Sequence, residues 1–161
     1  MKIVICSDNH TNRQCLQYIL QNESNADYYW HLGDSEYTNI KELSPFVSIM
    51  GNNDFFLDLP ATKEFELCGH KFLLTHGHRQ LMYGPEQLAA YTKDKGCDIV
   101  LFGHTHMPCD KVINGVRMVN PGSCNHNRGG FDPSYCVMHL DKNGKIDFQF
   151  KSIDNKKEDK L

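Results

Sequence analysis

No run of apolar residues in this chain approaches the roughly 18 needed to span a bilayer. The N-terminal stretch Met1-Lys2-Ile3-Val4-Ile5-Cys6-Ser7-Asp8 is too short for a signal-peptide core and ends in a carboxylate. The expectation is a cytoplasmic protein with no membrane partner. No CxxC pair occurs among Cys6, Cys15, Cys68, Cys97, Cys109, Cys124 and Cys136, and their number is odd. Scattered thiols of this kind argue against a disulfide framework or a zinc knuckle and fit a reducing compartment. An excess of either charge is also missing: 17 basic and 20 acidic residues give a formal net charge of −3. Bulk attraction to a polyanion is thereby excluded, and nucleic acid is disfavoured as a partner. There is no P-loop, no G-x-S-x-G elbow and no HxHxDH run. The 161 residues fall well short of the roughly 250 typical of a (β/α)8 barrel. Linkers, low-complexity tracts and solenoid repeats are absent, so one domain is expected over residues 1–161, with 151–161 as a charged, exposed tail. Two N-x-S/T sequons, at Asn9 and Asn22, are read as chance.

What is present is a repeated local pattern. A strand-length apolar run ends, a small residue often follows, and then come side chains able to bind metal. Lys2 to Cys6 leads into Ser7-Asp8-Asn9-His10, and Tyr28 to Leu32 into Gly33-Asp34. Phe46 to Met50 leads into Gly51-Asn52-Asn53-Asp54, and Phe72 to Thr75 into His76-Gly77-His78. Ile99 to Phe102 leads into Gly103-His104-Thr105-His106, and Met118-Val119 into Asn120-Pro121-Gly122-Ser123.

Between these runs, Thr11 to Asn22 carries Cys15, Leu16, Ile19 and Leu20 at helical spacing. Pro85 to Lys95 starts on Pro and stops at Gly96, which predicts a second helix; Ser35 to Leu43 is a weaker third. Hairpins are expected at Gly69-His70, at Asn114-Gly115 and at Asp141-Lys142-Asn143-Gly144. Strands alternating with helices, then hairpins, predict a mixed α/β fold with more than one sheet. Ligands of open α/β sheets gather beyond the carboxyl ends of the strands, where the polar clusters fall here.

Asp8 with His10, His76 with His78, and His104 with His106 are spaced i, i+2. In extended backbone that spacing puts both side chains on one side. With Asp34, Asn52 and Asp54 they form a borderline-hard set of imidazole, carboxylate and amide oxygen, which suits Mn, Fe, Ni, Co or Zn. More than four such ligands exceed one tetrahedral ion, whereas two ions sharing a carboxylate would use them all. His31 and His139, inside strand-like runs, and His70, in a turn, are given structural roles, and His126 stays open.

Taken in order, D-x-H, G-D, G-N-x-D, H-G-H, G-H-x-H and N-P-G-S resemble the calcineurin-like metallophosphoesterases, and most of all their small YfcE-type phosphodiesterase branch. The resemblance runs from Met1 to about Phe150. It implies a four-layer α/β/β/α sandwich. It also implies that Asp8, His10 and His106 bind one metal, that Asn52, His76 and His104 bind the other, and that Asp34 bridges them. The two divalent ions would be Mn first, with Ni, Fe, Zn or Co as alternatives. A hydroxide held between them would attack the phosphorus of a small phosphate ester. Asn53, His78 and Asp54 are the catalytic candidates beside the metals, and Arg128 and Ser123 the substrate-binding ones; Arg79 and Tyr83 also fall near these loops. Many family members have a His where this chain has Asn53, and an amide cannot deliver a proton near pH 7. The competing expectation is a scaffold that resembles the retromer subunit of this fold, which keeps a docking surface and has lost catalytic residues. Self-association into a homo-oligomer is compatible with the resemblance but has no interface signal of its own in the sequence.

Overall fold

The computed structural model describes residues 1–154. Its strands form two five-stranded mixed sheets. The first contains β1 (Lys2–Cys6), β2 (Tyr28–His31), β3 (Val47–Ser48), β9 (Ser134–Leu140) and β10 (Ile146–Ser152), in the order β10-β9-β1-β2-β3. The second contains β4 (Thr62–Leu67), β5 (His70–Thr75), β6 (Ile99–Leu101), β7 (Cys109–Ile113) and β8 (Val116–Asn120), in the order β4-β5-β6-β8-β7. Strands β1, β2 and β3 run parallel, as do β5, β6 and β8. The six polar clusters follow those six strands.

Burial explains the layering. The central strands β1 and β6 are near-continuous apolar runs because both of their faces are covered. Ile3, Ile5, Trp30, Phe72, Leu74, Leu101 and Met138 pack between the sheets. Val4, Cys6 and Val137 face outward onto Cys15, Leu16 and Ile19 of helix α1 (Arg13–Asn22). Leu73, Val100 and Met118 face outward onto Leu88 and Ala89 of helix α3 (Pro85–Asp94). The result is the expected α/β/β/α sandwich. Asn12 caps α1, its side chain accepting from the Gln14 amide at 3.0 Å, and Pro85 occupies the first turn of α3. A four-residue helix, α2 (His78–Leu81), was not expected from sequence.

Three expectations are corrected. Ser35 to Leu43 is not a helix but a loop ending in a 3-10 turn at Ile40–Leu43, because Asp34 and Glu36 take φ of 59° and 58°, which helical backbone does not allow. The first hairpin turns on Cys68-Gly69, one residue earlier, with φ of 49° and 83°; His70 is the first residue of β5, opposite Leu67. The tail does not begin at Lys151: β10 runs to Ser152 and Ile153 is buried in the outer core, while 155–161 lie outside the described residues. The Asn114-Gly115 hairpin forms as expected, with Ile113 opposite Val116.

One buried carboxylate clamps the first sheet at the end of α1. Glu23 accepts from Tyr135 Oη at 2.7 Å and pairs with Lys151 at 2.6 Å and Lys2 at 2.8 Å. Burial alone would raise its pKa, but the two lysines and the tyrosine outweigh it and bring it from 4.5 to about 2. A depressed folded value means that the stabilisation is fully present above about 4.5 and is lost as pH falls towards 2. Glu23→Gln is therefore expected to lower the melting temperature at neutral pH and to flatten the fall of melting temperature below pH 4.5. An acid limb identical to that of the wild type in thermal melts would refute the clamp.

Candidate metal centre

The loops after β1 and β2 lie side by side, with His10 N–H donating to Asp34 O at 3.1 Å and Thr11 N–H to Ser35 O at 2.9 Å. These bonds bring two of the polar clusters together. Asp8, His10, Asp34, His104 and His106 all have positive φ, between 43° and 68°. Non-glycine residues seldom adopt that region, and a concentration of them marks backbone held against its preference to aim side chains.

Asp8, His10 and His106 form the first donor group. His106 Nε2 lies 3.2 Å from Asp8 Oδ1, and His10 Nε2 lies 3.1 Å from His106 Nε2 and 3.9 Å from Asp8 Oδ1. Asp8, Asp34 and His76 form the second: His76 Nε2 is 3.4 Å from Asp34 Oδ2 and 3.8 Å from Asp8 Oδ1. Asn52 Oδ1 joins it, 2.9 Å from His76 Nε2 and 3.0 Å from His104 Nδ1. All seven residues expected as ligands thus converge, from segments up to 98 positions apart.

The donor chemistry fits cations. His76 Nδ1–H donates to Leu32 O at 2.7 Å, which turns Nε2 towards the oxygens of Asn52, Asp8 and Asp34 as the ring's ligand atom. With no cation a proton on Nε2 satisfies those oxygens, and a metal ion in its place would be coordinated by the same atoms. A histidine ligand that gives its other N–H to a backbone carbonyl has the usual support of a metal site. Without a cation the charges compensate in part. Burial opposes ionisation of Asp34 and Asp8, yet His76 hydrogen-bonded to Asp34, and His106 to Asp8, hold both carboxyls below their ordinary values. Burial lowers His76, but Asp34 and Asp8 raise it above its ordinary value. His104 and His78 are pushed down, first by burial and then by their cationic neighbours.

Glycines make the approach possible. A Cβ on Gly103 would lie 2.1 Å from Ser7 Oγ and 2.7 Å from Asp8 Oδ2, and one on Gly51 would lie 2.1 Å from Asp34 Oδ1.

The remaining candidates separate. Asn53 is at the centre: its N–H donates to Asp34 Oδ1 at 2.8 Å and its Nδ2 to Asp34 Oδ2 at 3.0 Å. The His78 ring lies 5.5 Å from that of His76 and 6.1 Å from that of His104. Arg128 is exposed, is tied by its N–H to His106 O at 2.8 Å, and contributes to the depression of His104. Asp54 has a different task from the catalytic one expected. Its carboxylate is buried and accepts from the N–H groups of Asp34, Gly51 and Glu36 at 2.8 Å each and from Ser35 Oγ at 3.0 Å. Four donors leave it no lone pair to offer a substrate, and it organises the loop that carries Asp34. Ser123, expected to bind substrate, is also fully buried. Its Oγ donates to Asp8 O at 2.8 Å and accepts from the Asn125 and His126 amides, so it fixes the backbone of Asp8 instead.

Supporting residues surround these ligands: His31 takes the structural role expected of it, whereas Glu36 was not anticipated. His31 is fully buried; Gly33 N–H donates to its Nδ1 at 3.2 Å, so Nε2–H donates to Asn9 Oδ1 at 2.9 Å. This neutral ring braces Asn9, which lies between Asp8 and His10. Glu36 contacts His10 Nδ1. Its position two residues after Asp34 repeats the spacing of Asp8 and His10, and that repetition was the available signal.

Comparison with known proteins identifies the family and the fold. The family model for the calcineurin-like phosphoesterase superfamily domain matches residues 1–143. A probable metallophosphoesterase of Bacillus subtilis, YsnB, is 34% identical over 147 residues, covering 88% of this chain and 85% of that one. Phosphodiesterase YfcE of Escherichia coli is 31% identical over 103 residues, 59% of this chain and 53% of that one. Among solved structures, a predicted phosphoesterase from Streptococcus pneumoniae superposes with a TM-score of 0.79 at 26% identity, over 91% of this chain and 87% of the other. Vps29 of Entamoeba histolytica superposes with a TM-score of 0.73 at 19% identity, over 96% and 100%, a likeness of fold alone. No helix among the described residues is long and apolar enough to cross a membrane.

Proposed function

The chain belongs to the calcineurin-like phosphoesterase superfamily, and from that premise we propose that it is a metal-dependent phosphodiesterase of the small YfcE-type branch. The observation that carries this reading is the convergence of seven side chains whose ligand atoms lie within hydrogen-bonding distance of one another. Asp8, His10 and His106 would hold one divalent ion and Asn52, His76 and His104 the other, with Asp34 shared between them. Manganese is the first choice for both. Two ions so placed would supply Lewis acidity that polarises a phosphoryl oxygen and acidifies an attacking water.

The chain's own residues do the rest. Asn53 keeps both Asp34 oxygens oriented through its amide and side chain. Arg128, exposed and near enough for its charge to disfavour protonation of His104, would meet a phosphoryl oxygen with a forked guanidinium. A cavity of about 230 Å³ borders the second donor group, lined by Asn52, His76, His78, Arg79, Gln80 and Phe55 among others. That volume takes one esterified group of a small phosphodiester.

Proton delivery to the leaving group is the weak side of the site. Asn53 has no proton to give, and burial beside His76 and His104 favours neutral His78. General acid catalysis contributes roughly 10²–10⁴-fold where it operates. The rate is therefore expected to fall steeply as leaving-group pKa rises across a series of aryl and alkyl methylphosphates assayed with Mn²⁺. A flat dependence that His78→Ala abolishes would show that His78 is a proton donor after all. Chelation should abolish turnover and Mn²⁺ restore it; metal-loaded protein with no turnover of any phosphodiester would favour the scaffold reading.

A further inference from the structure

Glu36 lies on the loop after β2 and faces His10 across the seam between the first two loops. Its Oε1 is 2.5 Å from His10 Nδ1. Three features hold it there. The backbone has φ of 58°, outside the ordinary range for a glutamate. Its N–H donates to the buried carboxylate of Asp54 at 2.8 Å. On either side of the pair, the backbone bonds from His10 to Asp34 and from Thr11 to Ser35 lock the two loops in register. The glutamate side chain is 34% exposed, so its placement is not forced by packing, and the contact with His10 is its specific partner.

We propose that Glu36 is a positioning residue for His10. A carboxylate can only accept at Nδ1, so it keeps the proton on that nitrogen. The Nε2 lone pair is then directed towards Asp8 Oδ1 and His106 Nε2, the other members of the first donor group. The negative charge also strengthens Nε2 as a donor to a cation. Partners of this kind change metal affinity by about 10–100-fold when removed. His76 obtains the same service from a backbone carbonyl, Leu32 O. The two donor groups are thus supported differently, one by a removable side chain and one by the fold. The inference rests on reading Asp8, His10 and His106 as a metal site.

Titration of metal-free protein with Mn²⁺ in a calorimeter tests it. Wild type should take up two equivalents. Glu36→Ala should keep one with unchanged affinity and bind the other about 10–100-fold more weakly. Glu36→Gln, whose amide oxygen still accepts from Nδ1–H, should lose less. Glu42→Ala removes a nearby carboxylate that pairs with Arg13, and should match wild type. In metal-free protein, the ¹⁵N shifts of His10 should report an Nδ1–H ring in wild type and a mixture of tautomers in Glu36→Ala. Two wild-type affinities in Glu36→Ala, or an unchanged His10 tautomer, would overturn the proposal while leaving the metal reading intact. Wild-type protein that takes up no Mn²⁺ would overturn the metal reading and this inference with it.

Discussion

Asp34→Asn is expected to leave a folded protein whose kcat/KM on an aryl phosphodiester falls by about a thousand-fold, roughly 4 kcal/mol of transition-state stabilisation. The expected size follows from how completely the carboxylate is used. Oδ1 accepts from Asn53 N–H and Oδ2 from Asn53 Nδ2, while Oδ2 also faces His76 Nε2 at 3.4 Å. An amide in its place must turn its NH2 towards one of those donors, so it loses a hydrogen bond as well as the charge. The carboxylate proposed to be shared between the two ions would also lose its charge. The fold should survive, because the loop is held through the backbone: Asp34 N–H still donates to Asp54 at 2.8 Å. Steady-state kinetics at saturating Mn²⁺, with a melting curve of the same sample, separate the two effects. Full activity in this variant would remove Asp34 from the shared position.

Gly51→Ala is expected to do comparable damage by a purely steric route. The added Cβ would lie 2.1 Å from Asp34 Oδ1 and 2.2 Å from Asp34 N. A side-chain tip could swing away, but the backbone nitrogen cannot, because it is fixed by Asp54. The loop carrying Asn52 and Asn53 must therefore move away from Asp34. Overpacking of this kind costs about 1–3 kcal/mol, and about 1 Å of misplacement at a site can cost about 100-fold in rate. Gly69→Ala is the matched comparison. Its Cβ would meet nothing within 4 Å, so only the φ of 83° opposes it. Gly51→Ala should thus lose Mn²⁺ binding and most turnover, whereas Gly69→Ala loses some thermal stability and keeps its kinetics. Wild-type Mn²⁺ affinity in Gly51→Ala would mean that the two loops are less tightly apposed than the distances require.

The divide between what could be read and what could not follows the range of the forces involved. Apolar runs, the Asn114-Gly115 turn and the Pro85 to Gly96 helix are encoded by neighbouring residues, and they form where expected. Where a distant group intervened, the reading failed. The stretch from Ser35 is not helical because Asp54, nearly twenty residues away, captures its backbone and Ser35 Oγ. Asp54 and Ser123 have the residue types of a catalytic acid and a substrate contact. Burial turned both into braces, an outcome that only their surroundings decide.

The sequence by itself determined that Asp, Asn and His would stand at the ends of apolar strands, in the order of the calcineurin-like phosphoesterase pattern. It did so because strand period is a local property of the chain; the i, i+2 pairs themselves stand not on extended strand but on backbone of positive φ at Asp8, His10, His104 and His106. Only the tertiary structure decided that Asp8 meets His106 across 98 positions, that Gly51 must lack a side chain, and that Glu36 faces His10. Those contacts depend on two sheets stacking with six parallel strand ends at one edge, and no local signal carries the relative placement of strands that pair through the fold.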